Sequence, residues 1–223
     1  MIFRAYPSRA ALMSGLAAIL GKQLSGAIAA RGRATLSLPG GTTPGPVFDA
    51  LSGADLDWAR VAVVLNDERW VDEHSERSNT RLLRARLLTG RAAVAQLVPL
   101  YAPGAVPEDR LAELAAGLAP HLPIDVLLLG MGDDMHTASL FPGADKLVQA
   151  LAQDAPVVLA MRAEAAGEPR VTLTAPALTT ARHIHILIIG EDKRQAILRA
   201  ATLTPMEAPV ALVLAKATIH WAE

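Results

Sequence analysis

Cysteine does not occur in this chain, so disulfides and thiolate metal sites are excluded. That absence is compatible with any compartment and most natural in the cytosol, so a cytoplasmic location is expected. An excess of charge is also missing. The 21 Lys and Arg residues nearly balance 22 Asp and Glu, leaving a net charge of -1 with both signs mixed along the chain. No basic stripe of the kind that nucleic acid or anionic lipid requires is present, so neither partner is expected. No run reaches the ~20 apolar residues that a membrane span needs. Internal repeats, low-complexity tracts and long linkers are absent too. The 223 residues therefore read as one domain, 1–223. No feature fixes an oligomeric state.

What is present is a compact composition. Hydrophobic residues make up 52%, largely alanine and leucine because aromatics supply only 4%, and charged residues make up 19%. The chain is long enough to bury a sizeable core. Near the N-terminus, Arg4 and Arg9 precede ALMSGLAAIL, an arrangement that imitates a signal peptide. The spacing of Leu12, Leu16, Ile19, Leu20, Leu24 and Ile28, with Lys22 and Gln23 between them, favours an amphipathic core helix over about 8–30.

Strands and helices alternate beyond that point. ATLSLPGG reads as a strand closed by glycines, and TPGPVFDALSG as a helix with Pro44 or Pro46 near its start. VAVVLN (61–66) is a β-branched run suited to a buried parallel strand. DERWVDEHSERSN reads as a polar loop, and TRLLRARLL as a helix capped by Ser78 or Asn79. AAVAQLVPL reads as a strand, PEDRLAELAAGLA as a helix, and IDVLLLG (124–130) as the clearest buried strand. PVVLAM, VTLT and HIHILIIG continue as strands, KLVQALA and EDKRQAILRAAT as helices, and PVALVLA as a late strand. Such alternation predicts an α/β fold with a mainly parallel sheet.

Ligands of open parallel sheets bind beyond the carboxyl ends of the strands. Three polar motifs follow three of the expected strands directly, so topology would bring them together. PGGTTPG (39–45) is a glycine-rich turn entering a helix. Gly40 and Gly41 allow close backbone approach, Thr42 and Thr43 add hydroxyls, and the helix start offers free N–H groups. It is not a P-loop, since no GK[ST] follows. NDERW (66–70) places Asp67, Glu68 and Arg69 at a strand end, where carboxylates can orient hydroxyls or a base and Arg69 can bind an anion. The plainer reading of that stretch is a helix-capping turn. GMGDDMHTAS (130–139) is not a dinucleotide fingerprint, because Met135 stands where the third glycine belongs. Its chemistry would be that of His136 as a base oriented by Asp134.

The other histidines carry weaker signals. His74 lies in a polar loop and reads as exposed. His183 and His185 alternate on one strand face, which suits metal binding, yet no acidic third ligand is near and sheet packing or an edge position is the better reading. His121 and His220 show no partner. Arg170 and Lys193 are candidates for phosphate contacts.

Together, SLPGGTTP, NDERWVDEHSERSN, LGMGDDMHTASLFPG, RVTLT and GEDKRQAI resemble the 6-phosphogluconolactonase family, within the glucosamine-6-phosphate isomerase/deaminase superfamily. The resemblance implies a modified Rossmann-like α/β fold, its mainly parallel sheet flanked by helices on both faces. It also implies hydrolysis of 6-phosphoglucono-1,5-lactone, a sugar-phosphate substrate, and no required metal or organic cofactor. Under it His136 would be the general base with Asp134 beside it. Asp67 and Arg69 would line the substrate pocket, and Gly40, Gly41, Thr42, Thr43, Arg170 and Lys193 would hold the phosphate.

One departure stands out. The family commonly reads Asp-Gly-His where this chain has Asp134-Met135-His136. If the turn needs positive φ, Met135 bears a strain that glycine would not, and activity rather than fold is affected. Two rival functions remain. An amino-sugar-phosphate isomerase or deaminase needs further acid–base groups, and no carboxylate follows His136 until Asp145. A non-catalytic sugar-phosphate sensor has only Met135 in its favour.

Overall fold

The computed structural model describes residues 1–223, Ala165 by its backbone alone. β1 (Ile2–Ala5) leads into α1 (Arg9–Arg31), β2 (Ala34–Leu38) and α2 (Gly45–Ser52). β3 (Val61–Leu65), β4 (Asp67–Arg69), α3 (Asn79–Arg86) and β5 (Gln96–Val98) follow. Next come α4 (Leu111–Leu118), β6 (Val126–Leu129), α5 (Leu147–Leu151), β7 (Val158–Met161), β8 (Arg170–Leu173) and α6 (Ala175–Thr179). The chain ends with β9 (His183–Ile189), α7 (Glu191–Ala200), α8 (Ala211–Leu214) and β10 (Thr218–Ala222).

Seven strands form one sheet in the order β1-β10-β9-β6-β2-β3-β5, and every pairing in it is parallel. Every residue of β2, β3 and β6 is buried, so both faces at the centre are covered. That is why these strands read as unbroken Leu and Val runs without alternation. The expected mainly parallel α/β sheet flanked by helices is what forms. A second, antiparallel sheet has the order β4-β8-β7. Only Asn66 separates β4 from β3, so the small sheet hangs on the carboxyl end of the large one.

Strand order reverses at β2: the chain passes to β3 on one side, while β6 later pairs on the other. The loops leaving β2 and β6 therefore diverge and open a crevice at the carboxyl rim. Asn66 fixes that opening. It is fully buried, accepts from Ser37 Oγ at 2.6 Å and donates to the Leu128 carbonyl at 2.7 Å, clasping β2, β3 and β6 together. At the opposite rim buried Asp125 accepts from the Thr35 N–H at 2.8 Å and from Arg31 at 2.5 Å.

Helix α1 starts at Ser8, whose Oγ accepts from the Ala11 N–H at 3.1 Å, and stops at Gly32, whose φ of 74° lets its N–H reach the Ile28 carbonyl. It is long and apolar enough to cross a membrane by length and composition. Here, however, Leu12, Leu16, Leu20 and Leu24 are wholly buried in the core. Each such leucine contributes ~1.5–3 kcal/mol relative to exposure.

Two local expectations are corrected and two strands are added. PVALVLA (209–215) is not a strand but contains α8, because a short apolar run carries no period that separates the two. The last strand is β10, further along. β1 escapes notice because all four of its residues are exposed at the sheet edge. DER is not loop but strand β4, paired with β8.

Candidate active site

The crevice holds a cavity of about 270 Å³ lined by residues from all three motifs. PGGTTPG contributes Gly40, Gly41 and Thr43; the β4 segment contributes Asp67 and Arg69; the loop after β6 contributes Gly130, Met131, Gly132 and His136. Arg170 from β8 and Lys193 from α7 complete the polar wall, and Leu187, Ile188 and Ile189 form an apolar one. Two expected residues stay outside the lining. Thr42 is exposed and its carbonyl accepts from the Gly45 N–H. Asp134 stands behind His136.

His136 is built into a tight turn. The Met135 N–H donates to the Gly132 carbonyl at 3.1 Å, and the Gly132 N–H to the His136 carbonyl at 3.0 Å. That second bond commits the Gly132 N–H, so it is not a free donor for an oxyanion. Gly132 has to be glycine, since a Cβ there would lie 2.1 Å from His136 Nδ1. Met135 and Ala138, on either side of the histidine, have φ of 63° and 50°. Non-glycine residues pay for such conformations and hold them only where the surroundings dictate it. Met135 is held by its buried side chain and by the Val210 N–H, which donates to its carbonyl at 3.1 Å.

The imidazole Nδ1 lies 2.5 Å from Asp134 Oδ1. A carboxylate accepts, so Nδ1 carries a proton, and in the neutral ring Nε2 presents the lone pair. Nε2 makes no hydrogen bond among the described residues. The ring packs on Phe141, with centroids 4.2 Å apart, and the same Phe141 ring meets the Arg170 guanidinium at 5.9 Å.

Arg170 is a buried cation with spare capacity. It donates to the Ala166 carbonyl at 2.9 Å and faces Asp67 Oδ2 at 3.6 Å, while its buried Nε has no partner. Burial pulls its guanidinium below the ordinary value, and the Asp67 charge pushes back. Asp67 is itself occupied, accepting from Ser139 Oγ at 2.5 Å. Arg69 donates to the Arg77 carbonyl and also keeps a buried, bare Nε. Lys193 donates to the Met131 carbonyl at 2.8 Å.

Glu68 takes the plainer of its two readings. Wholly buried, it accepts from the Asn79 N–H at 2.8 Å, the Thr80 N–H at 2.7 Å and Ser78 Oγ at 3.2 Å. It therefore caps α3, where a helix start favours an anion. Asn79, absent from the sequence candidates, lines the cavity and donates to the Asp67 carbonyl at 2.9 Å. Its amide lies so close to Gly40 that a Cβ there would come within 2.0 Å. Ser139 and Phe141 were also missed; membership of the HTASLFPG stretch was their only signal.

Residues 7–221 match the profile of the family described as glucosamine-6-phosphate isomerases/6-phosphogluconolactonase. The chain belongs to that family. Curated relatives named 6-phosphogluconolactonase include one from Rhizobium meliloti (strain 1021), 42% identical over 97% of this chain and 97% of its own. Another, from Pseudomonas aeruginosa, is 43% identical over 93% of this chain and 89% of its own. The crystal structure of a 6-phosphogluconolactonase from Shewanella baltica OS155 superposes with a TM-score of 0.95 at 33% identity, covering 100% of this chain and 98% of that one. The family's fold and this cavity thus come together on one chain.

The remaining histidines lie apart from this cavity. His74 and His183 are exposed. His185 and His220 do have partners: His185 Nδ1 lies 2.9 Å from His220 Nε2, His185 Nε2 lies 2.8 Å from Gln23 Oε1, and Tyr6 Oη lies 2.8 Å from His220 Nδ1. Among the described residues no group of three His, Asp or Glu is placed to hold a metal ion.

Proposed function

We propose that this chain hydrolyses 6-phospho-D-glucono-1,5-lactone to 6-phospho-D-gluconate. The observation that carries the reading is a single cavity with an imidazole lone pair at one place and a buried, under-bonded Arg170 at another. The first suits activation of a water, the second an anion. The full-length relatives named for this activity support it.

A lactone is an internal ester, already reactive toward water. Neutral His136 takes a proton from a water as its oxygen attacks C1. Collapse of the tetrahedral adduct breaks the bond to the ring oxygen, and His136 returns the proton to that oxygen. Asp134 holds the ring in the required tautomer and steadies the imidazolium between the two transfers. Arg170, Lys193 and the Gly40–Gly41–Thr43 turn hold the phosphate, whose remote binding fixes C1 against the water. Asp67, held by the Ser139 hydroxyl and facing Arg170, aligns Arg170. It is the one carboxylate lining the cavity among the described residues, which leaves an isomerase or deaminase without its further acid–base groups.

The antiparallel sheet supplies Asp67, Arg69 and Arg170 to the same cavity as the large sheet, so residues 1–223 work as one domain. A cytoplasmic location fits a substrate whose phosphate keeps it from crossing membranes. The deciding assay supplies freshly made 6-phosphogluconolactone and follows 6-phosphogluconate through a coupled dehydrogenase. Release well above spontaneous hydrolysis is expected. A rate equal to the blank, or ammonia from glucosamine 6-phosphate instead, rejects the reading.

A further inference from the structure

The two adjacent acids of the loop after β6 each hold one nitrogen-bearing side chain of the cavity. Asp134 holds His136, while Asp133 Oδ1 lies 2.7 Å from Lys193 Nζ. The second pair differs from every other charge contact in the site. The Asp133 side chain is 95% exposed, and Lys193 is its one ion-pair partner among the described residues. The Lys193 ammonium holds the Asp133 carboxyl below the usual carboxylate range.

Compare the counterion of Arg170. Asp67 is buried and anchored by Ser139, so it cannot withdraw without leaving a buried cation unmatched. Asp133 can swing into water at almost no cost in packing. Lys193 has a second anchor, the Met131 carbonyl, that holds it at the cavity wall when Asp133 leaves. One counterion is fixed and the other is exchangeable.

We infer that Asp133 is a stand-in anion: it occupies Lys193 in the empty site and yields to the phosphate of an incoming ligand, thereby setting how tightly that phosphate is held. The inference rests on reading Lys193 as a phosphate contact. Asp133 is a positioning residue in this scheme, acting only through Lys193. Its effect is the same on substrate, transition state and product, so it falls on KM and on product affinity, not on the chemical step. Exposed ion pairs are weak enough to exchange, and losing one as a competitor shifts a dissociation constant about two- to fivefold.

Asp133→Asn keeps the shape and removes the charge. Titration calorimetry of wild type, Asp133→Asn, Lys193→Met and the double variant, with inorganic phosphate and with 6-phosphogluconate as probes, reads the exchange. Expected is about two- to fivefold tighter binding of both probes in Asp133→Asn, no such gain in the Lys193→Met background, and unchanged binding of gluconate, which has no phosphate. Equal or weaker phosphate binding in Asp133→Asn overturns the inference. So does an equal gain without Lys193, which would be a general charge effect. The phosphate titration needs no turnover, so it judges Asp133 even if lactone hydrolysis fails; normal hydrolysis with a null titration rejects Asp133 alone.

Discussion

The Ser139 hydroxyl donates to Asp67 Oδ2 at 2.5 Å, although 72 positions separate the two residues and both are buried. The Ser139 N–H also donates to Thr172 Oγ1 at 3.1 Å, and Thr172 is the strand partner of Asp67. Ser139 lies three positions after His136 and Asp67 faces Arg170. One buried serine therefore fixes the loop carrying the base against the sheet carrying the anion site.

Removing that hydroxyl should loosen the phosphate end before it touches the chemistry. In Ser139→Ala the buried Asp67 keeps only the longer contact to Arg170. A buried acceptor left without its donor costs ~1–3 kcal/mol, so the melting temperature should fall by several degrees. KM should rise several-fold while kcat changes less. A destabilised protein with unaltered KM would mean that the tie is structural and nothing more.

His136→Ala removes the one group that can take a proton from water. A positioned base is typically worth ~10²–10⁴-fold, and kcat should drop by that amount. Binding of 6-phosphogluconate, read by calorimetry, should survive because the phosphate contacts are untouched. Turnover near the wild-type level would remove His136 from the mechanism.

Met135 sets two effects against each other. Its left-handed backbone costs ~1–2 kcal/mol that glycine would save, whereas deleting a buried methionine costs ~2–5 kcal/mol. Packing should win, so Met135→Gly is expected to be less stable by about 1–3 kcal/mol. The turn's backbone bonds do not involve the side chain, so kcat/KM should stay within a few-fold. A variant more stable than wild type in urea would show that strain, not packing, dominates there.

The carboxyl rim was legible because apolar runs such as IDVLLLG stop abruptly at glycines and acids, and parallel topology says where such stops gather. What the rim residues bond to was not. Asp67 reads as a carboxylate free to orient a hydroxyl or a base beside Arg69, but its occupancy depends on Ser139, which no local pattern links to it. Glu68 looked equally available, and only the arrival of the α3 N-terminus uses it up. Edge strand β1 lacks any burial signal. α8 and β10 show that short apolar stretches take their form from neighbours, since propensity alone separates them poorly. His220 seemed isolated because its partners, Tyr6 and His185, lie 214 and 35 positions away.

Those partners make the core sensitive to acid. Tyr6 donates to His220 Nδ1, and Gln23 Oε1 accepts from His185 Nε2, so His220 Nε2–H must donate to His185 Nδ1. Every bond is made with both rings neutral. Burial, first, lowers His185 to about 4 and His220 to about 3; charge on His183 and Arg4 adds to the shift at His185, and charge on His185 and Arg4 to that at His220. The unfolded chain protonates both near the ordinary value of ~6.5. Stability is therefore fully present above that pH and is lost as pH falls toward 4, because the unfolded state then binds protons that the fold refuses. At 1.36 kcal/mol per pKa unit, the His185 step alone amounts to ~3 kcal/mol. Carboxylates act lower: Glu108, drawn down to about 2 chiefly by its hydrogen bond to Arg162, contributes to the loss only below its unfolded value of 4.5. Urea denaturation at steps from pH 7.5 to 4.5 should show a decline beginning near pH 6.5. In His185→Leu/His220→Phe, where Tyr6 and Gln23 can turn to water, that decline should largely vanish above pH 5. An equally steep decline in the double variant would place the acid sensitivity elsewhere.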